Sequence, residues 1–204
     1  MDGKNKFNLE GKKMSETPRC FLAFDLENNE ILRKLVNVQK LIFKTGANLK
    51  IIKQQNLHLT LRFLGNITND LIEKVSTKMQ KIDFNPFSIE LKGIGVFPNL
   101  YSPRVIWVGI TEGTKKMNKI FDQIEVQLRQ LAFKPDYKGF SPHLTLARVK
   151  YGKNNDQLTT FIKNHVEYNI GSINLNCIKL KKSELTPTGP IYATIKKFYS
   201  KDEV

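Results

Sequence analysis

The sequence predicts an α+β protein of two similar lobes, with strands and helices intermixed along the chain. One observation behind this fold class is a repeat: His-Leu-Thr-Leu occurs at residues 58–61 and again, 85 positions later, at residues 143–146. The same offset carries Pro18-Arg19, with the apolar run behind it, onto Pro103-Arg104 and a second apolar run. The other observation is that both halves show the same order of strand-like and helix-like patterns.

The first half of the chain predicts a strand, a helix, the His-Leu-Thr-Leu strand, a second helix and a further strand. Residues 20–24 are apolar and favour a strand, and apolar residues spaced by three and four predict a helix over 31–42. A short strand candidate lies at 49–52, before the tetrapeptide. The same helical spacing recurs over 71–82, and the run at 87–97 predicts the strand that ends this half.

The second half predicts the same series. Its elements are a strand at 105–108, a helix over 117–131, the second tetrapeptide, a helix over 158–162, a strand-like run at 173–185 and a last strand at 191–198. The Gly/Pro/Asn-rich connection at 98–103 sets the boundary between repeats near residue 102. We therefore expect one domain over 18–198, with repeats at about 18–102 and 103–198, a flexible extension over 1–17 and a tail over 199–204.

Composition and charge restrict the function. The chain has 204 residues, 33 of them Lys or Arg against 19 Asp or Glu, and a formal net charge of +14. This excess favours a polyanionic partner such as nucleic acid, although a solvated basic surface would give the same count. Two cysteines, Cys20 and Cys177, are too few for a disulfide framework, and no apolar run is long enough for a membrane span. We expect a soluble, cytoplasmic protein.

The repeated tetrapeptide carries the candidate site. Side chains alternate along a strand, so His58 and Thr60 point to one face while the leucines between and after them point to the other. His143 and Thr145 repeat this arrangement, and these are two of only 3 histidines in the chain. If the lobes are related by a pseudo-two-fold axis, two imidazoles and two hydroxyls face one groove.

Two facing imidazoles suit in-line displacement at phosphorus. A neutral histidine can activate the attacking water while a protonated one donates to the departing oxygen, because an imidazole pKa lies close to neutral pH. Thr60 and Thr145 can hydrogen-bond the non-bridging oxygens, where negative charge resides. From the residues alone, either histidine could take either role.

Two arginines are further candidates for binding phosphate. Arg62 follows Thr60 on the same predicted face, and Arg148 lies 5 positions after His143. Strict alternation places Arg148 on the wrong face, so a role for it requires a twist, a bulge or the end of the strand. No metal-binding motif and no phosphate-binding or dinucleotide-binding glycine loop is present, so we expect neither a metal nor a cofactor.

These segments closely resemble the two-histidine (2H) phosphoesterase superfamily, specifically the RNA 2′,3′-cyclic phosphodiesterases once named LigT-like 2′-5′ RNA ligases. The resemblance is carried by residues 19–24, 58–65 and 141–148, and it spans about residues 18–198. It implies a bilobal LigT-like fold, with antiparallel sheets lining a central groove and helices outside. It also implies metal-independent opening of a terminal 2′,3′-cyclic phosphate on RNA to a 2′-phosphate.

The resemblance further implies residue roles and partners. His58 would be the proton donor, His143 the general base, and Thr60, Thr145 and Arg148 would contact the phosphate. RNA is the expected partner of a monomer that binds no membrane. Three alternatives stay open: 2′-5′ RNA ligation at the same site, a small cyclic nucleotide as substrate, and a non-catalytic RNA-binding module.

Overall fold

The structure is a computed structural model that describes residues 17–137, 139–150, 155–187 and 189–201. Apart from Thr17, the predicted extension over 1–17 lies outside the described residues, as do residues 202–204 of the predicted tail. Within the described ranges, no helix is long and apolar enough to cross a membrane.

The described residues form nine strands and four α-helices, with a short 3-10 helix at Gln54–Asn56, in an order that follows the sequence pattern. The strands are β1 (Arg19–Asp25), β2 (Leu49–Ile51), β3 (His58–Asn66), β4 (Phe87–Phe97), β5 (Val105–Ile110), β6 (His143–Val149), β7 (Asn169–Leu175), β8 (Cys177–Thr186) and β9 (Gly189–Tyr199). The helices are α1 (Asn29–Phe43), α2 (Asn69–Met79), α3 (Thr114–Arg129) and α4 (Asn155–Asn164). The predicted fold class, α+β with antiparallel strands and helices outside, is confirmed.

All strand pairs are antiparallel and form one sheet in the order β7-β4-β5-β6-β3-β1-β8-β9, with β2 paired to β6 beside this path. The two tetrapeptide strands, β3 and β6, are neighbours at its centre and share a single residue pair, Leu59 with Leu144. On either side the halves of the chain interleave, because β4 joins β5 while β8 and β9 join β1. The sheet therefore has two similar wings that meet along one narrow seam.

The hydrophobic core lies on the face of the sheet that the helices cover. Asn28 caps α1 by accepting hydrogen bonds from the backbone of Glu30 and Ile31, and the helix then buries one apolar stripe. The leucines of both tetrapeptides are buried in this same core. The alternate residues of β3 and β6, the histidines and threonines, therefore point to the opposite face, which we call the groove face.

One predicted element differs from the structure. The strand-like run at 173–185 is two strands, because β7 pairs with β4 at one end of the sheet and β8 pairs with β1 in the other wing. The chain crosses the sheet between them at Asn176. Both strands are apolar on one side, so the sequence pattern continues through the crossover and does not mark it.

Candidate active site

The two His-Leu-Thr-Leu segments come together at the centre of the groove face. The antiparallel pair Leu59–Leu144 fixes their register. One position along each strand from that pair, His58 lies beside Thr145 and Thr60 lies beside His143. Two imidazoles and two hydroxyls thus occupy one small area, as the repeat predicted.

Both imidazoles are held in the same way. The Nδ1 atom of His58 lies 2.7 Å from the carbonyl oxygen of Asn56, and Nδ1 of His143 lies 2.7 Å from that of Ser141. A carbonyl oxygen only accepts, so each Nδ1 carries a proton and donates it. This leaves both Nε2 atoms as the positions that can take up or release a proton at the groove.

Aromatic rings fix the imidazoles further, but each histidine has different neighbours. The ring centroid of His58 lies 5.0 Å from that of Phe21 and 5.3 Å from that of Tyr192 on β9. His143 has Phe97 edge-on at 5.0 Å, and Phe97 is backed by Trp107. Gly95 makes room for that indole, since a Cβ atom at this position would overlap the Trp107 ring.

A β-bulge in β6 decides where Arg148 lies. Trp107 pairs with Thr145 but Ile106 pairs with Ala147, so Leu146 is an extra residue between two matched pairs. The bulge shifts the alternation by one position, and Arg148 regains the face of Thr145. This is the bulge that the sequence analysis required for a role of Arg148 at the site. The exposed side chain of Arg148 lies on the groove face.

The tetrapeptide in β3 has a bulge at the equivalent position. Ala23 pairs with Thr60 but Leu22 pairs with Arg62, which makes Leu61 the extra residue. Here the shift turns Arg62 away from the groove, to the face of the fully buried Leu22. The alternation on which the expectation for Arg62 depended is broken at this bulge.

Arg62 is held by the helix side of the molecule. Its side chain is 11% exposed and forms an ion pair with Glu125 of α3, which is 7% exposed. The guanidinium also donates to the backbone carbonyls of Phe63 and Lys134, at 2.9 and 2.6 Å. The structure therefore does not bring the Arg62 charge to the two histidines.

Each bulge is supported by a helix from the other half of the chain. Gln39 of α1 donates from Nε2 to the carbonyl oxygens of Leu146 and Ile52, both at 2.9 Å. Glu125 of α3 supports the β3 bulge through Arg62. Because a buried polar group without a partner is costly, these contacts stabilise the two bulges, which turn Arg148 towards the groove and Arg62 away from it.

Phe63 occupies the position in β3 that Arg148 occupies in β6, and sequence reasoning missed it. It pairs with Phe21, which packs against His58, so it lies on the groove face. Its side chain is 54% exposed and the Arg19 guanidinium lies over its ring. The 85-residue offset applied to Arg148 would have pointed to Phe63.

A buried charge cluster adjoins His58. Asp25 is the cross-strand partner of His58, and its carboxylate forms ion pairs with Lys179 and Lys181 of β8. Burial alone would raise the pKa of Asp25, but the two lysines outweigh burial and hold that pKa below its usual value. Sequence reasoning did not single out these residues, because lysines spaced by two on a strand look like a solvated face.

The pKa of His58 is lowered. Burial is the main cause, and the charges of Lys181 and His143 act in the same direction, while the Asn56 carbonyl and Asp25 oppose them. Without a ligand, the environment therefore favours the neutral form of His58. A bound phosphate anion would add negative charge beside the ring and favour the protonated form.

The groove can supply a proton, accept a proton and bind an anion. Neither Thr60 nor Thr145 uses its hydroxyl in a hydrogen bond within the described part of the chain, so both can donate to a ligand. Arg148 adds a cation at the rim. Across the described ranges, no three His, Cys, Asp or Glu side chains converge in a way that could hold a metal ion.

These features place the chain among proteins that act on phosphoesters with paired histidines. A family model described as the AKAP7 2′5′ RNA ligase-like domain matches residues 18–199. The chain belongs to this family. The match includes both tetrapeptides and every groove residue described above.

Relatives of known name support the assignment. The chain is 36% identical over 162 residues to a protein of Aeropyrum pernix named RNA 2′,3′-cyclic phosphodiesterase, covering 79% of this chain and 92% of that protein. It is 35% identical over 180 residues to a protein of the same name from Methanocaldococcus jannaschii, covering 88% and 99%. The matches extend over nearly the whole length of both relatives.

Solved structures share the fold. The TT0787 protein of Thermus thermophilus superposes with a TM-score of 0.76 at 26% identity, covering 91% of this chain and 100% of that one. Escherichia coli LigT in complex with 3′-AMP gives a TM-score of 0.72 at 22% identity, with 92% and 99% coverage. The LigT-like architecture expected from the sequence is confirmed.

Proposed function

We propose that this protein hydrolyses the 2′,3′-cyclic phosphate at the end of an RNA to a 2′-phosphate, without a metal ion. The observation that carries the proposal is the pair of imidazoles on one groove face, each with Nδ1 tethered to a carbonyl and each beside the other strand's threonine. The relatives named RNA 2′,3′-cyclic phosphodiesterase support the substrate class.

In this proposal, His143 is the general base. Its Nε2 takes a proton from a water molecule, and the water oxygen forms a new bond to phosphorus. Nδ1, which donates to the Ser141 carbonyl, stabilises the imidazolium that results. His143 faces the groove from the opposite strand to His58, which suits attack from one side and departure on the other.

His58 is the proton donor. As the bond from phosphorus to the ribose 3′ oxygen breaks, Nε2 of His58 delivers its proton to that oxygen, and the phosphate stays on the 2′ oxygen. The site gains one proton from water and loses one to the leaving oxygen, so it returns to its total charge. The bound phosphate supplies the negative charge that favours protonated His58, against the burial that disfavours it.

Thr60, Thr145 and Arg148 bind the phosphate. The two hydroxyls donate to the non-bridging oxygens, where charge accumulates in the transition state. Arg148 adds a charge-assisted contact at the groove rim, where it has no carboxylate partner within the described residues. Arg62 has no part in the proposed site because its charge is paired with Glu125.

The proposal is tested with an RNA oligonucleotide that ends in a 2′,3′-cyclic phosphate, incubated in EDTA with the wild type, His58→Ala or His143→Ala. We expect a 2′-phosphate product from the wild type and none at a comparable rate from either variant. A 3′-phosphate product, dependence on added metal, or full turnover by His143→Ala would overturn it. Tight RNA binding without any product would instead indicate an RNA-binding module.

Ligation through a 2′-5′ linkage is a second candidate, favoured by the description of the matching family as 2′5′ RNA ligase-like. The same residues would serve, with a 5′-hydroxyl in place of water as the group that His143 deprotonates. Adding an RNA with a 5′-hydroxyl to the assay distinguishes the two. A joined product that accumulates faster than the 2′-phosphate would favour ligation.

A further inference from the structure

Lys50, outside the proposed catalytic groups, stands at the end of the groove beyond His58. It lies in β2 between Leu49 and Ile51, whose side chains pack against the core, so its own side chain points to the groove face. It pairs directly with Arg148 across the strands. Two cations therefore stand side by side at the rim of the site.

The first residues of β9 lie beside Lys50. A Cβ atom at Gly189 would lie 3.7 Å from both Cε and Nζ of Lys50, so the ammonium group lies beside the first residue of β9. The side-chain amide of Asn56 donates to the carbonyl of Pro190 at 2.9 Å and ties the start of β9 to the segment before β3. The exposed Lys50 ammonium group thus lies at the end of the groove, next to the start of β9.

Lys50 and Arg148 lack the anionic partners that three other cations on this sheet, Arg62, Lys179 and Lys181, have. Lys179 and Lys181 share Asp25, and Arg62 has Glu125. Among the described residues, neither Lys50 nor Arg148 forms an ion pair. Two adjacent unpaired cations repel each other. Their end of the groove therefore carries uncompensated positive charge that attracts an anion.

The orientation of the RNA in the proposed reaction indicates which anion could lie beside Lys50 and Arg148. In the proposed reaction the departing 3′ oxygen lies at His58 and the attacking water at His143, so the ribose lies on the His58 side. The antiparallel strands put Arg148 beyond His58 and Thr145, at the end opposite to Phe63. An RNA chain that precedes the terminal ribose and follows the unpaired positive charge then leaves the groove over Arg148 and Lys50.

We propose that Lys50 binds the phosphate group one nucleotide before the cyclic end, and so makes the protein prefer an RNA strand to a cyclic mononucleotide. This inference rests on the proposed function and adds to it the residue that selects an RNA strand over a mononucleotide. A mononucleotide has no phosphate at this position, so Lys50 acts on the oligonucleotide alone. A lysine on a phosphate is a strong, salt-sensitive contact.

The test compares two substrates with the same reacting nucleotide: adenosine 2′,3′-cyclic phosphate, and a short oligoadenylate ending in that group. We expect Lys50→Ala to lower the oligonucleotide-to-mononucleotide ratio of kcat/KM by about ten-fold, mainly through KM, because about one phosphate contact is lost. The salt slope of log kcat/KM for the oligonucleotide should fall by roughly 0.7, and Lys50→Arg should keep the wild-type ratio. Lys44→Ala, at the end of α1, is the matched control for removing one exposed lysine.

A binding measurement separates this inference from the hydrolase proposal. Fluorescence anisotropy with a labelled oligonucleotide that ends in a 2′-phosphate reports on Lys50 without turnover, and Lys50→Ala should raise its Kd about ten-fold at low salt. If the wild type turns over neither substrate but this loss remains, the function fails and the Lys50 contact stands. Equal effects of Lys50→Ala on both substrates, or an equal effect of Lys44→Ala, would overturn the contact.

Discussion

The two tetrapeptide strands are identical in sequence and differ in their surroundings. His58 packs against Phe21 and Tyr192 and adjoins a buried charge cluster, whereas His143 has Phe97 at its edge. Both rings nevertheless have the same tether from Nδ1 to a carbonyl two residues earlier. The motif therefore fixes the geometry of both rings, while burial and the Lys181 charge, which lower the pKa of His58, come from outside it.

The largest expected effect tests whether the two halves act as one unit. Replacing either His58 or His143 by Ala should lower kcat by about 10²–10⁴-fold, the usual range for a general acid or base. The double variant should be little worse than the single ones, because one missing partner already removes the concerted proton transfer. Single-turnover rates on the cyclic-phosphate oligonucleotide measure this, and fully additive losses would mean that the two rings act independently.

Arg62 tests the difference between the two bulges. Arg62→Ala leaves Glu125 buried without its partner, so the free energy of unfolding should fall by roughly 3–5 kcal/mol. Urea denaturation measures the loss. Arg62 has no groove contact, so kcat of the folded protein at low temperature should fall far less than for Arg148→Ala. A variant of wild-type stability with a large loss in kcat would instead place Arg62 at the phosphate.

Arg148 and Phe63 occupy equivalent positions after the two bulges and sharpen the comparison. Arg148→Ala should lower kcat/KM about 10–100-fold, because a charge-assisted hydrogen bond contributes roughly 1.5–3 kcal/mol. Phe63→Ala removes a half-exposed ring without charge and should cost less than ten-fold, from the usual worth of one aromatic contact at about 0.5–1.5 kcal/mol. Measuring kcat/KM of both variants on the cyclic-phosphate oligonucleotide tests this. Equal losses would contradict a phosphate-binding role that is specific to Arg148.

The smallest effect concerns proton affinity at His58. An NMR titration of the imidazole should show a pKa below its ordinary value of about 6.5. Lys181→Met should raise that pKa, because it removes a positive charge and leaves Asp25 less neutralised. The charges facing His58 are Lys181, Asp25 and His143. An unchanged titration in this variant would remove Lys181 from the account.

The lowered pKa of His58 also makes the stability of the folded protein depend on pH. The folded protein binds a proton at His58 less readily than the unfolded chain does, so this group favours folding above the unfolded pKa. Its contribution decreases as the pH falls from about 6.5 towards the lower folded pKa. Urea midpoints of the wild type should therefore fall with decreasing pH across that range, relative to those of His58→Phe, which lacks this titrating group.

Local patterns explain how much the sequence could predict. Helix stripes, the two tetrapeptides and the strand face that their histidines and threonines take depend on short-range periodicity, and all were predicted. The break at Asn176 was not, because both flanking strands are apolar on one side. The opposite outcomes for Arg62 and Arg148 depend on bulges at Leu61 and Leu146, which are fixed by pairing with distant strands and by Gln39 and Glu125.

In the proposed reaction His58 acts as the proton donor and His143 as the general base, although both lie in the same motif. Changing the leaving group of the substrate tests this most directly. A cyclic substrate with sulfur in place of the 3′ oxygen expels a thiolate, which needs no proton from the protein. We expect this substrate to restore turnover to His58→Ala by roughly 100-fold or more, within the range of general acid catalysis, and to leave His143→Ala as impaired as before. Rescue of His143→Ala instead, or of neither variant, would contradict the account.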